Sequence, residues 1–317
     1  VIKFNGGIKM LEGIEIIKVL GNQKKRKFGT VYLAKQIATN ELVCVKQVQE
    51  TVNNSRAIEQ LKNECLFNFT LNGLPQIIDF KEGENSNYLV KKYVEGIPLK
   101  EYWSHLKKRN RLTFLQNFMR EITPIFNYLL EHNIVHNDIK PSNFIINEVN
   151  GKLSVSLIDF GLAIHKDDNI TRKTLFPLGF ASPELLLNQL NLVDQRSDIF
   201  ALGISIWNLY TNRLPFYHSN PSVYTNLQVT YPLPKASEIQ QDLFEIIEKC
   251  CVKYNFKTAP NLLPLAVVQQ HLIEAINQRF DSVLEIKEAI EQLSERKTVL
   301  QRLVQVFSKT NIKSKKQ

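Results

Sequence analysis

The chain has few of the residues that would stiffen or cross-link it. Its 317 residues include four cysteines, 12 glycines and 12 prolines. Cys44, Cys65, Cys250 and Cys251 form no C-x-x-C pair and no zinc-like spacing, so a disulfide framework and a zinc module are excluded. They read as buried, reduced thiols. So little glycine and proline excludes collagen-like and low-complexity chains. Hydrophobic run length is also short: the densest stretch, 199–209, cannot span a bilayer and reads as a buried helix. Glu12, Glu15 and Lys18 interrupt the apolar residues near the N-terminus and leave no signal-peptide core. The expectation is a soluble, cytoplasmic protein with no membrane partner. With 44% hydrophobic and 22% charged residues, the composition is that of an ordinary globular chain rather than a disordered one.

Charge of one sign is concentrated rather than spread. The net charge is +9, but residues 296–317 hold seven Lys/Arg and no acid, leaving 33 cations against 31 acids in 1–295. A nearly neutral body with a basic tail reads as a solvated helix end, and no recognition motif accompanies the charge, so nucleic acid is not the expected partner.

No repeat or flexible linker divides the chain. The first ninety or so residues read mainly as strands, with β-rich runs at Val31-Tyr32-Leu33-Ala34, Leu42-Val43-Cys44-Val45 and Tyr88-Leu89-Val90. Between 55 and 71, Ile58, Leu61, Cys65 and Phe69 recur at helical spacing. Beyond Pro98 helices dominate. Thr113 can cap one with Phe114, Phe118, Ile122, Ile125 and Leu129 on its apolar face and a kink at Pro124. Strands at 143–147 and 153–158 meet at Asn150-Gly151, a pair suited to a tight hairpin. Further helices are expected at about 194–211, 238–250 and 264–275, and Ser282…Glu285 is a capping box opening a last one. The fold class expected is α+β: a small β-rich lobe, then a larger helical lobe. Leu300, Leu303, Val304 and Phe307 continue the last helix's apolar face into the tail, which is expected to dock on the large lobe, on a partner, or in self-association.

The chemistry is carried by His136-Asn137-Asp138-Ile139-Lys140-Pro141-Ser142-Asn143 and, after the hairpin, Ile158-Asp159-Phe160-Gly161. Phosphoryl transfer requires a carboxylate to orient or deprotonate the attacking hydroxyl, oxygen ligands for Mg²⁺, and a cation to shield the migrating group. Asp138 suits the first role, Asp159 and Asn143 the second, Lys140 the third.

From about Gly21 to Arg279 these segments resemble the eukaryotic-type (Hanks-type) protein kinases. The resemblance implies a two-lobed fold, ATP and Mg²⁺ as cofactors, and a protein substrate with a Ser/Thr acceptor. Val43-Cys44-Val45-Lys46 looks like the family's V-A-I-K strand, so Lys46 would bind the α- and β-phosphates. Glu64, 18 residues on, is its expected partner on the following helix, in preference to Glu59. Ala181-Ser182-Pro183-Glu184 resembles A-P-E. The segment 197–203 looks like the helix whose Asp198 anchors the catalytic loop, and Arg279 stands where the family pairs an arginine with Glu184. Lys140 is the serine/threonine-kinase form. By the same match, adenine would lie between Val31 and Cys44 above and Ile145 below, with hinge backbone at Lys92 and Val94. The implied kinase domain is 15–295 (small lobe to 91, hinge 92–96, large lobe from 97), flanked by an extension at 1–14 and the tail at 296–317. Richness in Asn, Lys and Ile suggests an AT-rich, bacterial genome.

The sequence also departs from that pattern. Phe28-Gly29-Thr30-Val31 keeps the end of the glycine-rich loop, Gly21 stands as a displaced first glycine, and Lys24-Lys25-Arg26-Lys27 either adds charge over a triphosphate or forms a solvated hairpin. Asn137 replaces the arginine that receives an activation-segment phosphate, so activity without phosphorylation of 159–184 is expected. Pro177 replaces a threonine. Lys91 occupies the normally apolar gatekeeper position, where it either snorkels outward or pairs with an acid. Asn68 stands one turn after Glu64, where the family packs an apolar side chain. These departures keep open a pseudokinase or ATP-binding scaffold. A small-molecule phosphotransferase shares H-x-D-x-x-x-x-N and I-D-F-G, but Lys140-Pro141, S-P-E and the Asp198 helix favour the protein kinases.

Overall fold

A computed structural model describes residues 11–21, 29–51, 54–166 and 178–294. The basic run at 24–27, Pro177 and the tail beyond Glu295 fall outside the described residues. The first part of the chain forms β1 (Ile14–Val19), β2 (Thr30–Gln36), β3 (Leu42–Gln49), α1 (Ser55–Cys65), β4 (Ile77–Glu82) and β5 (Ser86–Lys92). The strands make one antiparallel sheet in the order β1-β2-β3-β5-β4. Strand side chains alternate between faces. In β3, Val43 and Val45 therefore pack with Ile14, Ala34 and Val90, while Val48, on the other face, packs with Leu89 against Ala57 and Leu61 of α1. Cys44 and Lys46 share that second face.

The larger lobe contains β6 (Ile97–Pro98), α2 (Leu99–His105), α3 (Arg111–Glu131), β7 (Ile134–Val135), β8 (Phe144–Val149), β9 (Lys152–Leu157), β10 (Ile164–His165), α4 (Pro183–Leu186), α5 (Gln195–Thr211), α6 (Pro221–Thr230), α7 (Gln241–Cys250), α8 (Leu265–Ile276) and α9 (Val283–Glu291). Its core is continuous. Phe118, Met119, Ile122 and Phe126 of α3 meet Phe200, Ile204 and Trp207 of α5, with Phe144, Leu157, Ile286 and Ile290 packed around them. Helix α5 is buried along nearly its whole length, as its run of apolar residues requires. The β8–β9 hairpin turns at Asn150 and Gly151, both at positive φ (53° and 74°). Ser282 Oγ accepts the Glu285 N–H at 3.3 Å, capping α9.

Four expectations need correction. The helix expected to reach residue 71 ends at Cys65, where Leu66 and Phe67 N–H groups bond Asn63 and Glu64 carbonyls. The apolar spacing continues because Phe67 and Phe69 are buried in the large-lobe core from an extended segment, not because the helix does. Asn68 therefore belongs to no helix face; its Oδ1 accepts the Ile77 N–H at 2.9 Å and pins this segment to β4. Helix α3 begins at Arg111, ahead of Thr113, because a 3₁₀ turn at Lys108–Asn110 runs into it. Pro124 lies inside it. Finally, only Cys250 and Cys251 are buried; Cys44 faces the cleft and Cys65 ends a helix, and both are half-buried.

Candidate active site

The cleft between the lobes gathers charges from four elements. Lys46 of β3 donates to Glu64 Oε2 of α1 at 2.7 Å and to Asp159 Oδ1 at 3.1 Å. Ala57, Leu61 and Glu64 fall on one stripe of α1, so packing the two apolar residues on the sheet carries the carboxylate inward, fully buried. Lys91 of β5 lies opposite Cys44 in the ladder, on the same face as Lys46. It turns inward, and its ammonium bonds Glu64 Oε1. Both oxygens of Glu64 are thus held by lysines. Burial alone would lower the Lys46 ammonium, but Asp159 and Glu64 outweigh it and raise it above the ordinary lysine range. Lys91 is raised in the same way, chiefly by Glu64 against burial. For Asp159, burial would raise the carboxyl, yet Lys46, Lys91 and Lys140 together hold it well below the usual range. Two cations and two anions balance here. Replacing Lys91 by methionine should leave one oxygen of Glu64 without a donor and cost about 1–3 kcal/mol, read as a lowered melting temperature. Equal melting of variant and parent would show that the second bond carries no weight.

The second cluster is built on the loop after β7. Lys140 Nζ lies 2.9 and 2.7 Å from the two oxygens of Asp138. Asn143 Nδ2 donates to the Asp138 carbonyl and to its Oδ2, both at 2.9 Å. Burial pushes the Asp138 carboxyl up to about 6, with Asp159 adding to the rise and Lys140 restraining it. The loop's unusual path explains its residues. Asn137 sits at φ 61° and Asp159 at φ 69°, left-handed conformations that Asn and Asp tolerate better than most side chains. Asp198 at the start of α5 accepts the His136 and Asn137 N–H groups at 2.7 and 2.9 Å, fixing the loop backbone. Burial raises that carboxyl to about 7 in spite of the two bonds. Burial also pushes His136 down to about 4. The neutral ring accepts from the Asp138 N–H through Nδ1 at 3.1 Å and faces the Ile158 carbonyl through Nε2 at 3.2 Å, which fits the tautomer protonated at Nε2.

Of the expected nucleotide contacts, Val31 lies opposite Lys46 and Cys44 opposite Lys91 in the sheet. Val31, Cys44 and Ile145 are each half-buried, Ile145 lying between the fully buried Phe144 and Ile146. Lys92 N–H is committed to the Gln76 carbonyl and Tyr93 N–H to that of Leu42, whereas Val94 lies beyond the strand. Gly96 brings the hinge onto β8: at φ 132°, a Cβ there would stand 2.3 Å from the Ile146 carbonyl oxygen. Gly29 has a comparable reason. At φ 101° its Cβ would stand 2.3 Å from the Gln47 oxygen of β3, so its role in the structure is close packing on the sheet. Gly21 has φ 69° and borders residues 22–28, which fall outside the described residues.

Behind the site, Arg279 and Glu184 form a bidentate pair at 2.7 and 3.0 Å with both side chains fully buried. One residue with a clear place here was not anticipated from the sequence. Asn63, next to Glu64 and 4% exposed, donates toward the carbonyls of Phe160, Gly161 and Ala163. Its signal was a polar residue on the inward side of an amphipathic helix.

The protein kinase domain model matches residues 16–260. The chain is 30% identical over 208 residues to serine/threonine-protein kinase PrkC of Bacillus subtilis, covering 64% of this chain and 31% of that protein. It is 29% identical over 222 residues to serine/threonine-protein kinase B of Synechocystis, covering 62% and 37%. Against an Aurora kinase of Eremothecium gossypii the figures are 30% over 213 residues, covering 65% and 55%. The chain thus spans about a third to a half of the length of these relatives. Because the match runs over most of this sequence, and over both lobes that meet at the cleft, the chain belongs to the protein kinase family in its Hanks-type form.

Proposed function

We propose that this chain is an ATP- and Mg²⁺-dependent serine/threonine protein kinase, with its catalytic domain over 15–295. The observation that carries the reading is that both clusters are assembled at once: Lys46 joined to Glu64 and Asp159, and Asp138 joined to Lys140 and Asn143. A scaffold that only binds nucleotide has no need of the second.

The donor set fits the cofactors. Because Asn143 spends its amide N–H groups on Asp138, its Oδ1 is left as the ligand atom, met only by the Ser142 hydroxyl at a long 3.5 Å. Asp159 gives one oxygen to Lys46 while its side chain stays 41% exposed. An ionised carboxylate and an amide oxygen are the hard ligands Mg²⁺ prefers. When bound, Mg²⁺ neutralises charge on the phosphates of ATP. In this reading Lys46, oriented by Glu64, holds the α- and β-phosphates. Val31, Cys44 and Ile145 enclose the adenine, and the Lys92 carbonyl and Val94 amide meet its edge. Asp138 orients the acceptor hydroxyl and takes its proton, while Lys140 places positive charge beside the oxygen about to form the new bond.

The reading is tested with radiolabelled ATP and a general acceptor protein, followed by phosphoamino-acid analysis. Label on serine or threonine supports it; label on tyrosine, or none, overturns it. Asp159→Asn should weaken ATP binding in Mg²⁺ by about tenfold or more and leave binding in EDTA unchanged. Equal affinity in both conditions for parent and variant would remove Asp159 from the metal site.

A further inference from the structure

Asp159 projects from a turn whose backbone is held from both lobes by asparagines. The four carbonyls that follow it, at residues 160–163, all accept side-chain N–H groups. From α1, Asn63 Nδ2 lies 3.3 Å from the Phe160 oxygen, 3.2 Å from that of Gly161 and 2.9 Å from that of Ala163. From the catalytic loop, Asn137 Nδ2 lies 3.3 Å from the Leu162 oxygen. Both asparagines are 4% exposed. We propose that Asn63 and Asn137 are positioning residues that clasp the 160–163 turn and so keep the Asp159 carboxylate facing Lys46 and the metal ligands. The inference deepens the kinase reading above and rests on it.

The backbone around Asp159 does not stay there unaided. Asp159 has a left-handed φ of 69°, which Asp tolerates better than most side chains but still at some cost, so its surroundings help to hold it. The Phe160 side chain is anchored by rings, 4.5 Å from His136 and 4.8 Å from Phe69. Those contacts fix the side chain, not the peptide planes. The Ala163 N–H closes the turn on the Phe160 oxygen at 3.1 Å, and the asparagine amides hold the Gly161, Leu162 and Ala163 planes; a buried carbonyl deprived of its donor gives a specific penalty to this one arrangement of the turn. Asn63 also adjoins Glu64, so the α1 position that lets Glu64 meet Lys46 is the one that lets Asn63 meet the turn. Asn137 has a related consequence. It replaces the arginine expected to face a phosphate, and its amide points to Leu162 instead, with its Oδ1 buried and without a partner among the described residues.

If the clasp acts through Asp159, loosening it lowers the fraction of molecules competent to bind the metal, and apparent affinity falls by that fraction. ATP without metal, held by Lys46 and the adenine slot, is spared. The experiment measures ATP dissociation constants in Mg²⁺ and in EDTA for parent, Asn63→Leu, Asn63→Asp and Asp159→Asn, with melting of the nucleotide-free proteins. Asn63→Leu keeps the shape and removes the donor; Asn63→Asp turns a donor into an acceptor. The expected result is a loss of about tenfold in Mg²⁺ alone for both variants, larger for Asn63→Asp, with binding in EDTA unchanged. Asn137→Gly, which keeps the left-handed backbone at φ 61° and removes the Leu162 donor, should show a smaller loss of the same kind. If the Asn63 variants lose affinity equally in Mg²⁺ and EDTA, or bind Mg·ATP as the parent does, the clasp has no positioning role. Should Asp159→Asn itself be insensitive to Mg²⁺, the metal reading fails instead. A variant too unstable to assay is replaced by Asn63→Ser, a shorter donor, for which an intermediate loss is required.

Discussion

Replacing Asp138 by asparagine should cut phosphoryl transfer by roughly 10²–10⁴-fold while the protein folds at least as well as the parent. The two halves of that expectation come from one observation. Burial raises the Asp138 carboxyl to about 6, from an ordinary value of 3.8. An acid raised in the folded state is better tolerated there when neutral. Its ionised form thus costs stability that begins to be lost as pH rises through about 4 and is fully lost above about 6. Asparagine, neutral at every pH, escapes that cost, so the variant should gain as much as about 3 kcal/mol at neutral pH, the shift converted at about 1.4 kcal/mol per pH unit. The active form, in contrast, is the ionised one. In the parent, kcat/KM should fall tenfold per pH unit below about 6. Lys140 restrains the Asp138 carboxyl, so in Lys140→Met the acid limb should move to higher pH, which titration of ATP itself would not produce. A variant with near-parental turnover, or a limb that stays put in Lys140→Met, would separate Asp138 from the chemistry.

Much of this site could be read from the sequence because its spacing carries it. Lys46 and Glu64 are 18 residues apart, the spacing that the family resemblance implies for this pair, and the two side chains do meet. Asp138, Lys140 and Asn143 lie within six residues, so they are necessarily close, and Asp198 from α5 fixes the backbone that orients them. The α+β organisation was legible for a similar reason: β-branched runs precede Pro98, and helical periodicity follows it. What the sequence could not show was which partner a polar residue takes across the fold. Lys91 had two outcomes, and only the register of β5 against β3 turns it toward Glu64. Asn68 looked like a fault in a helix that in fact stops three residues earlier, because Phe67 and Phe69 gain more from the large-lobe core than from extending α1. Asn63 donates to carbonyls nearly a hundred positions away, and no local pattern encodes such a separation. Gly29, read for its approach to phosphate, is also held to glycine by the backbone of β3, a contact the sequence does not display.

Arg279→Met should destabilise the large lobe by about 3–5 kcal/mol, a fall in melting temperature on the order of 10 °C, and should reverse the sign of its pH dependence. In the parent, burial alone would raise the Glu184 carboxyl, but Arg279, with help from Ser197 Oγ at 2.7 Å, outweighs it and holds the group below the ordinary carboxylate range. A depressed carboxyl contributes stability that is present above its unfolded value of about 4.5 and is lost as pH falls through the folded value. With the guanidinium gone, burial is opposed only by the weaker hydrogen bonds of the Ser197 hydroxyl and the Glu184 backbone N–H. Glu184 then prefers to be neutral, and stability should instead decline as pH rises through the carboxylate range. The loss extends beyond the ion pair. Arg279 also donates to the carbonyls of Val252 at 3.0 Å and Arg196 at 3.2 Å, and its guanidinium lies over the Phe200 ring. Those groups belong to the segment after α7, to the first turn of α5, and to the core of that helix. Since Asp198, one turn-step further along α5, holds the catalytic-loop backbone, partial unfolding here should abolish activity before the small lobe melts. The double variant Arg279→Met, Glu184→Gln removes the unpaired charge and should recover part of the stability and lose the reversed pH slope. If the single variant melts like the parent between pH 5 and 8, the buried pair is not what joins these elements.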